Sequence, residues 1–195
     1  MIGRTRKRTR RQGNNNTVFE DKRMVTIKPL ETEAEIKGKA YVHWQAWKEA
    51  YTGLIDQKFL DSRTVEMSEK IAFRAYENGY PTILAKDGNG VIGFADYGPC
   101  RGEDLADAGE IYAIYILKAY YGQGVGHALM RKALEELKQY RQAAVWVLEG
   151  NARAIRFYER CGFHFDGKKQ ELTLGTPVTE TRMVLKIKES ESDGY

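Results

Sequence analysis

Cysteine is scarce in this chain. Cys100 and Cys161 are the only two in 195 residues, and their spacing builds neither a disulfide framework nor a zinc site. No apolar run approaches the roughly 18 residues needed to cross a membrane, and the N-terminus has no apolar signal core. These absences lead us to expect a cytoplasmic protein with no metal and no membrane partner. There is no internal repeat either, and the aromatic (11%) and charged (30%) fractions are ordinary for a globular chain. The length suits one domain with a sizeable core.

Charge is unevenly spread. Residues 1–23 hold eight Lys/Arg and two Asp/Glu, whereas the rest of the chain is slightly acidic. Arg4, Arg6, Lys7, Arg8, Arg10 and Arg11 crowd a polar stretch that has nothing to bury, so 1–23 is expected to be a disordered basic arm. Nucleic-acid association through this arm is disfavoured, because no aromatic is interleaved with the basic residues. Met24 opens a clean strand and is an alternative start. The folded domain is expected over 24–188, with 189–195 a polar tail.

Periodicity predicts a strand at 24–30, a helix from the Thr32/Glu35 capping box to about Tyr51, a short helical piece at 56–60 and a third helix from Thr64 to Asn78. Asp87-Gly88-Asn89-Gly90 joins two apolar runs, 81–86 and 91–97, as a hairpin. An acidic loop, 101–108, leads to a buried strand at 110–117. A helix then reaches about Gln139, followed by a strand at 143–148, a helix at 152–160, and strand-like stretches at 163–174 and 180–187. One helix between two buried strands makes 110–117 and 143–148 a parallel pair. The remaining strands form an antiparallel meander. The fold class is therefore α/β (α+β), a mixed and mostly antiparallel sheet with helices on both faces.

The most informative segment is Gly122-Gln123-Gly124-Val125-Gly126, which lies between a strand and a helix. Alternate glycines leave backbone N–H groups uncovered, and the helix N-terminus adds partial positive charge, so the turn suits a pyrophosphate. A P-loop would need Gly-Lys-Ser/Thr, but His127-Ala128 follow Gly126. A dinucleotide fingerprint starting at Gly122 would need its third glycine where His127 stands.

From Tyr121 to Gly126 the spacing resembles the Q/R-x-x-G-x-G/A turn of the GNAT (GCN5-related N-acetyltransferase) superfamily. Asn151, Ala154, Phe157, Tyr158, Gly162 and Phe163 resemble that family's second block. The similarity covers roughly 24–187, and the chain looks like a bacterial subgroup of unassigned substrate. One position departs from the pattern: Tyr121 stands where Gln or Arg is usual.

The resemblance implies acetyl-CoA as cosubstrate, lying where the two parallel strands splay apart. Ile114, Tyr115 and Ile116 would line the pantetheine arm. Tyr121, Gly122, Gln123, Gly124, Val125, Gly126 and His127 would hold the pyrophosphate, with Asn151 and Tyr158 completing the cofactor site. The Ile114 amide would stabilise an oxyanion. Glu110 aligns with the catalytic glutamate of the histone branch and would be the general base, on the same strand face as Tyr112 and Ile114. Glu149 is a rival that does not match the base of ribosomal-protein acetyltransferases, because Trp146 occupies that position. Tyr158 would protonate the departing thiolate.

At the acceptor end, His43, Trp47 and Tyr51 share a helix face. Trp47, Tyr51 and Tyr112 are candidate substrate contacts through cation–π attraction. The acidic loop (Glu103, Asp104, Asp107) could draw a polycation, which makes a polyamine-like amine the lead and a peptide or protein amine the other acceptor class. A non-catalytic acyl-CoA-binding module is the alternative function. Dimers recur in the family, and the C-terminal strand edge could pair into a homodimer.

Overall fold

Capping chemistry sets where the helices begin. In the computed structural model, which describes residues 24–105 and 107–187, the Thr32 hydroxyl accepts from the Glu35 N–H and Glu35 accepts from the Thr32 N–H, opening α1 (Glu33–Tyr51). Asp56 and Thr64 cap α2 (Gln57–Ser62) and α3 (Val65–Glu77) through the N–H groups of Phe59 and Met67. The basic arm and the polar tail expected from sequence lie outside the described residues.

Seven strands form one sheet: β1 (Thr26–Pro29), β2 (Thr82–Asp87), β3 (Gly90–Pro99), β4 (Ala108–Ile116), β5 (Gln142–Leu148), β6 (His164–Leu174) and β7 (Thr176–Lys186). Their order is β1-β2-β3-β4-β5-β7-β6. Every neighbouring pair is antiparallel except β4 and β5, which are joined by the crossover helix α4 (Val125–Glu136). The last helix, α5 (Ala152–Arg160), follows β5. This is the mixed α/β architecture that the element order implies.

Both faces of the sheet are covered. On one, Ile111, Val145, Val147 and Met183 pack with Val125, Leu129 and Met130 of α4 and Tyr158 of α5. On the other, Val42 of α1 meets Leu84 and Phe94, while Leu60 of α2 meets Leu148. Each such side chain, fully buried, contributes about 1.5–3 kcal/mol.

Three details depart from the sequence reading. Helix α4 stops at Glu136, short of Gln139, because Leu137 is driven into the core against Gly109, where an added Cβ would lie 2.7 Å from its Cδ2. Strand β7 starts at Thr176, ahead of Glu180. Its first half pairs with the exposed strand β6 across a turn at Gly175 (φ +79°), and so carries no apolar alternation to announce it. The third departure is a bulge. Asp96 pairs with Ala113 and Tyr97 with Ile111, leaving Tyr112 as an extra residue in β4. Side-chain alternation slips there, so Ile114 faces the same core as Ile111 and does not share a face with Glu110.

Three titratable groups tie this fold to neutral pH. Burial, with Arg63 and Lys39 nearby, pushes the His43 imidazole down to about 4. Burial pulls Glu35 upward, but hydrogen bonds from Lys28, Lys86 and the Glu31 N–H outweigh it and hold the carboxyl at about 2. The hydrogen bonds from Arg182 hold Asp104 at about 2 as well. In each case the unfolded chain takes up the proton at a higher pH than the native one, so stability falls as pH falls. The melting temperature should drop first between about pH 6.5 and 4, through His43, and again below about pH 4.5, through the two carboxylates. Thermal unfolding followed by circular dichroism checks this, and a flat profile from pH 6.5 to 4 would contradict the buried neutral imidazole.

Candidate active site

β4 and β5 pair only from Ala108↔Gln142 to Ile111↔Val145, although the strands continue to Ile116 and Leu148. Beyond Ile111 they part, and the bulge at Tyr112 bends β4 at that point. The gap leaves one main-chain edge of β4 open to pair with an extended ligand, as an added strand would. A cleft of about 600 Å³ runs through it, lined by Ile114, Tyr115, Ile116, Val145 and Val147.

One end of the cleft is the glycine turn. Gly124 is the N-cap of α4 at φ +82°, with no side-chain cap, so the first N–H groups of the helix stay uncovered. A Cβ built on Gly122 or Gly124 meets nothing within 4 Å: the space in front of the turn is open. No acidic residue stands in the first turn of α4. Gly122, Gly124, Val125, Gly126 and His127 all line the cleft. Gln123 does not, and its side-chain amide donates back to the Ala119 carbonyl at 2.8 Å. Open space, uncovered amides and a helix N-terminus fit a pyrophosphate.

Tyr121 also lines the cleft, and Arg153 of α5 lies over its ring, the guanidinium carbon 3.8 Å from the centroid. A cation therefore stands at this end after all, supplied by α5 and oriented by the aromatic that replaces the usual Gln or Arg. Sequence reasoning passed over Arg153. The available signal was a basic residue in the first turn of a helix, against the macrodipole. Asn151 caps α5, its Oδ1 accepting from Ala154 N–H at 3.1 Å, which leaves its NH₂ group and the second lone pair of Oδ1 for a ligand.

Tyr158 lies at the middle of the cleft. Its ring is buried against Phe157 and Phe163 at 5.4 and 6.0 Å, and its hydroxyl hydrogen-bonds to no other described residue. Burial, followed by the neighbouring Tyr51, Cys161 and Glu180, pushes that hydroxyl well above the ordinary phenol range, so it stays protonated at neutral pH. Tyr51 reaches in from the end of α1, its hydroxyl 2.9 Å from that of Tyr115.

The far side of the cleft is lined by Arg101, Tyr112, Trp146, Gln170 and Glu180. Tyr112 donates to the Pro99 carbonyl at 2.6 Å and carries the Arg101 guanidinium 4.6 Å above its ring. Glu110 is 1% exposed and does not line the cleft. Its carboxylate accepts from the Arg101 backbone N–H at 3.0 Å, from Nε at 3.1 Å and from Nη2. Glu149 is at the surface, ion-paired with Lys169 at 2.6 Å.

Trp47 stands behind Tyr51, packed between it and His43, with Arg63 lying 4.1 Å over its ring and so already supplying the cation. In the acidic loop, Glu103 is exposed and only Asp104 is firmly engaged within the chain. Asp104 takes both Nη atoms of Arg182 at 3.0 and 2.8 Å, and Asp107 lies 3.9 Å from Arg141.

Comparison with known proteins agrees with this geometry. Residues 43–163 match the model of the acetyltransferase (GNAT) family. The chain is 37% identical over 140 residues to the N-acetyltransferase YuaI of Bacillus subtilis (strain 168), covering 70% of this chain and 78% of YuaI. The fold is similar to that of the PaiA N-acetyltransferase from Thermoplasma acidophilum, solved in complex with coenzyme A (TM-score 0.63, 19% identity, 84% of this chain and 99% of that one). It is also similar to yncA of Salmonella typhimurium, solved with acetyl-CoA (TM-score 0.62, 19% identity, 87% of this chain and 98% of that one).

Proposed function

The chain belongs to the GNAT family and is an acetyl-CoA-dependent N-acetyltransferase, and from that premise we propose that it acetylates a primary amine by direct attack in the gap between β4 and β5. The observation that carries this reading is the continuity of one cleft from the glycine turn, past Ile114 and Ile116, to Tyr158 and out to Tyr112 and Trp146. Bound acetyl-CoA supplies an activated acetyl carbon and a thiolate leaving group.

The chain's own residues supply the rest. The uncovered amides of Val125, Gly126 and His127 hold the pyrophosphate, and Arg153 adds a cation beside them. The edge of β4 from Ile114 to Ile116 holds the pantetheine arm. The Ile114 amide is placed to donate to the carbonyl oxygen, a contribution that can be worth about 2.7–4 kcal/mol. Tyr158 gives its proton to the sulfur. The attacking amine must be neutral, and a lysine-like amine with a pKa near about 10 is mostly charged at neutral pH, so a general base, directly or through a water, takes its proton. Glu110 is the residue named by its alignment with the histone branch. In the geometry here it can serve only once Arg101 swings off its carboxylate.

For the acceptor, the ring of Tyr51 in the cleft supports a small cationic amine, while Tyr112 and Trp146 already carry the guanidiniums of Arg101 and Arg182. For the polyamine version, the acidic loop keeps Glu103 and Asp107 exposed at the surface, while Asp104 is taken up by Arg182. Absence of turnover on spermidine and spermine would end that version.

The function is tested by calorimetry with acetyl-CoA and by thiol release with a panel of amines. The wild-type protein should bind the coenzyme, and Arg153→Ala should weaken that binding about tenfold, the expected loss of a charge-assisted contact in a partly solvated site. Absence of coenzyme binding by the wild-type protein would defeat the whole reading. Unchanged affinity in the variant would defeat only the role of Arg153.

A further inference from the structure

Among the described residues, Glu180 is a carboxylate lining the cleft with no basic partner. Its Oε2 accepts from Gln170 Nε2 at 2.9 Å, and no Lys, Arg or His among those residues pairs with it. Glu110 differs in every respect: it is buried, saturated by Arg101 and outside the lining. Sheet register places Glu180 at the reacting centre. Ile111 pairs with Val145, and Leu148, three residues further along β5, pairs with Glu180. Allowing for the bulge, Glu180 therefore stands level with Ile114 and Tyr115 across the gap. It is paired with Leu148, which packs on the α1–α2 side, so its side chain leaves the sheet on that side, facing Tyr51.

Resting on the acetyl-transfer reading above, we propose that Glu180 is the acceptor site of this enzyme: it binds the substrate's primary ammonium and receives its proton. A lone carboxylate held by a neutral amide and bordered by aromatic walls is matched by a single organic cation. Its charge already reaches the reacting groups, since it is among the causes raising the hydroxyls of Tyr158 and Tyr51. In the step itself, Glu180 takes one proton from the ammonium. The freed nitrogen lone pair forms the C–N bond at the thioester carbonyl and the C–S bond breaks. The sulfur takes the Tyr158 proton, and Tyr158 is reprotonated through solvent by the second proton leaving nitrogen.

Glu180 accepts from neutral Gln170 of β6 and acts on the hydroxyls of Tyr51 of α1 and Tyr158 of α5, which Arg153 of α5 and, at Tyr51, Tyr121 of the turn also reach; Arg182 of its own strand is bound to Asp104 and Asp166. Phenols and guanidiniums do not titrate on the acid side of neutrality. His127 lines the opposite, glycine-turn end.

The test uses the full chain and two readouts. With desulfo-coenzyme A bound, benzylamine should bind wild type more tightly than benzyl alcohol does, and Glu180→Gln should weaken benzylamine about tenfold or more while leaving benzyl alcohol unchanged. With an amine from the panel that is turned over, Glu180→Gln should lower kcat/KM about 100-fold near neutral pH and replace the acid limb of its profile by a climb with pH toward the pKa of the free amine, with acetyl-CoA affinity unchanged. Equal binding of benzylamine and its alcohol by wild type overturns the proposal. So does an unaffected Glu180→Gln variant, or an acid limb that keeps its wild-type position in Glu180→Gln and moves in Glu110→Gln. Loss of acetyl-CoA binding by wild type is a separate signature, which strikes the underlying reading instead.

Discussion

Tyr158→Phe should lower kcat about 100-fold or more, while acetyl-CoA affinity and melting temperature stay nearly unchanged. The ring contacts with Phe157 and Phe163 survive the change, so burial is conserved. The hydroxyl has no hydrogen-bond partner among the described residues, so its removal strands no buried group. What disappears is the proposed proton donor to the sulfur, a role that matters only when the C–S bond breaks. A pre-steady-state experiment separates the steps: acetyl-CoA binding should be normal and thiol release slow. A wild-type turnover number would remove Tyr158 from the chemistry and leave it as a core aromatic.

A second large effect is expected at the glycine turn. Gly124 holds φ +82° at the N-cap of α4, a conformation in which a β-branched residue is strained by about 1–3 kcal/mol. In Gly124→Val the backbone relieves that strain by rotating, which turns the N–H groups behind it away from the cleft. Each charge-assisted bond lost to a phosphate is worth about 1.5–3 kcal/mol, so acetyl-CoA affinity should fall on the order of 100-fold or more. Strain alone is controlled by Gly79→Ala. Gly79 has φ +72°, lies just beyond α3 and has open space around it, away from the cleft. That variant should lose melting temperature and keep its affinity for the coenzyme. Equal affinities for Gly124→Val and wild type, measured by calorimetry, would show that the turn does not hold the diphosphate.

Much of the architecture was legible because its signals are local. The capping box at Thr32, the hairpin at Asp87–Gly90 and the glycines before α4 each act within about five residues, and each stands where the sequence placed it. Boundaries failed where distant contacts decided them, as when Leu137 ended α4 against Gly109. The site divides in the same way. Gly122 to His127, Asn151 and Tyr158 could be picked out because they sit in two short blocks of fixed spacing. Arg101, Arg153, Gln170 and Glu180 could not, since each is defined by what lies across the sheet from it.

The amino-acid order alone determined the glycine turn before α4, the parallel crossover around α4 and the presence of Tyr158 in the second block. Those depend on backbone conformation and side-chain period, which neighbouring residues control. Only the tertiary structure decided which carboxylate faces the gap. A single extra residue at Tyr112 reverses the side-chain alternation beyond it, and Arg101 occupies Glu110 from nine positions away. Sheet pairing carries Glu180 to the level of Ile114. Charge in a cleft depends on which ion pairs have closed around it, and those pairs form only when strands distant in sequence come together.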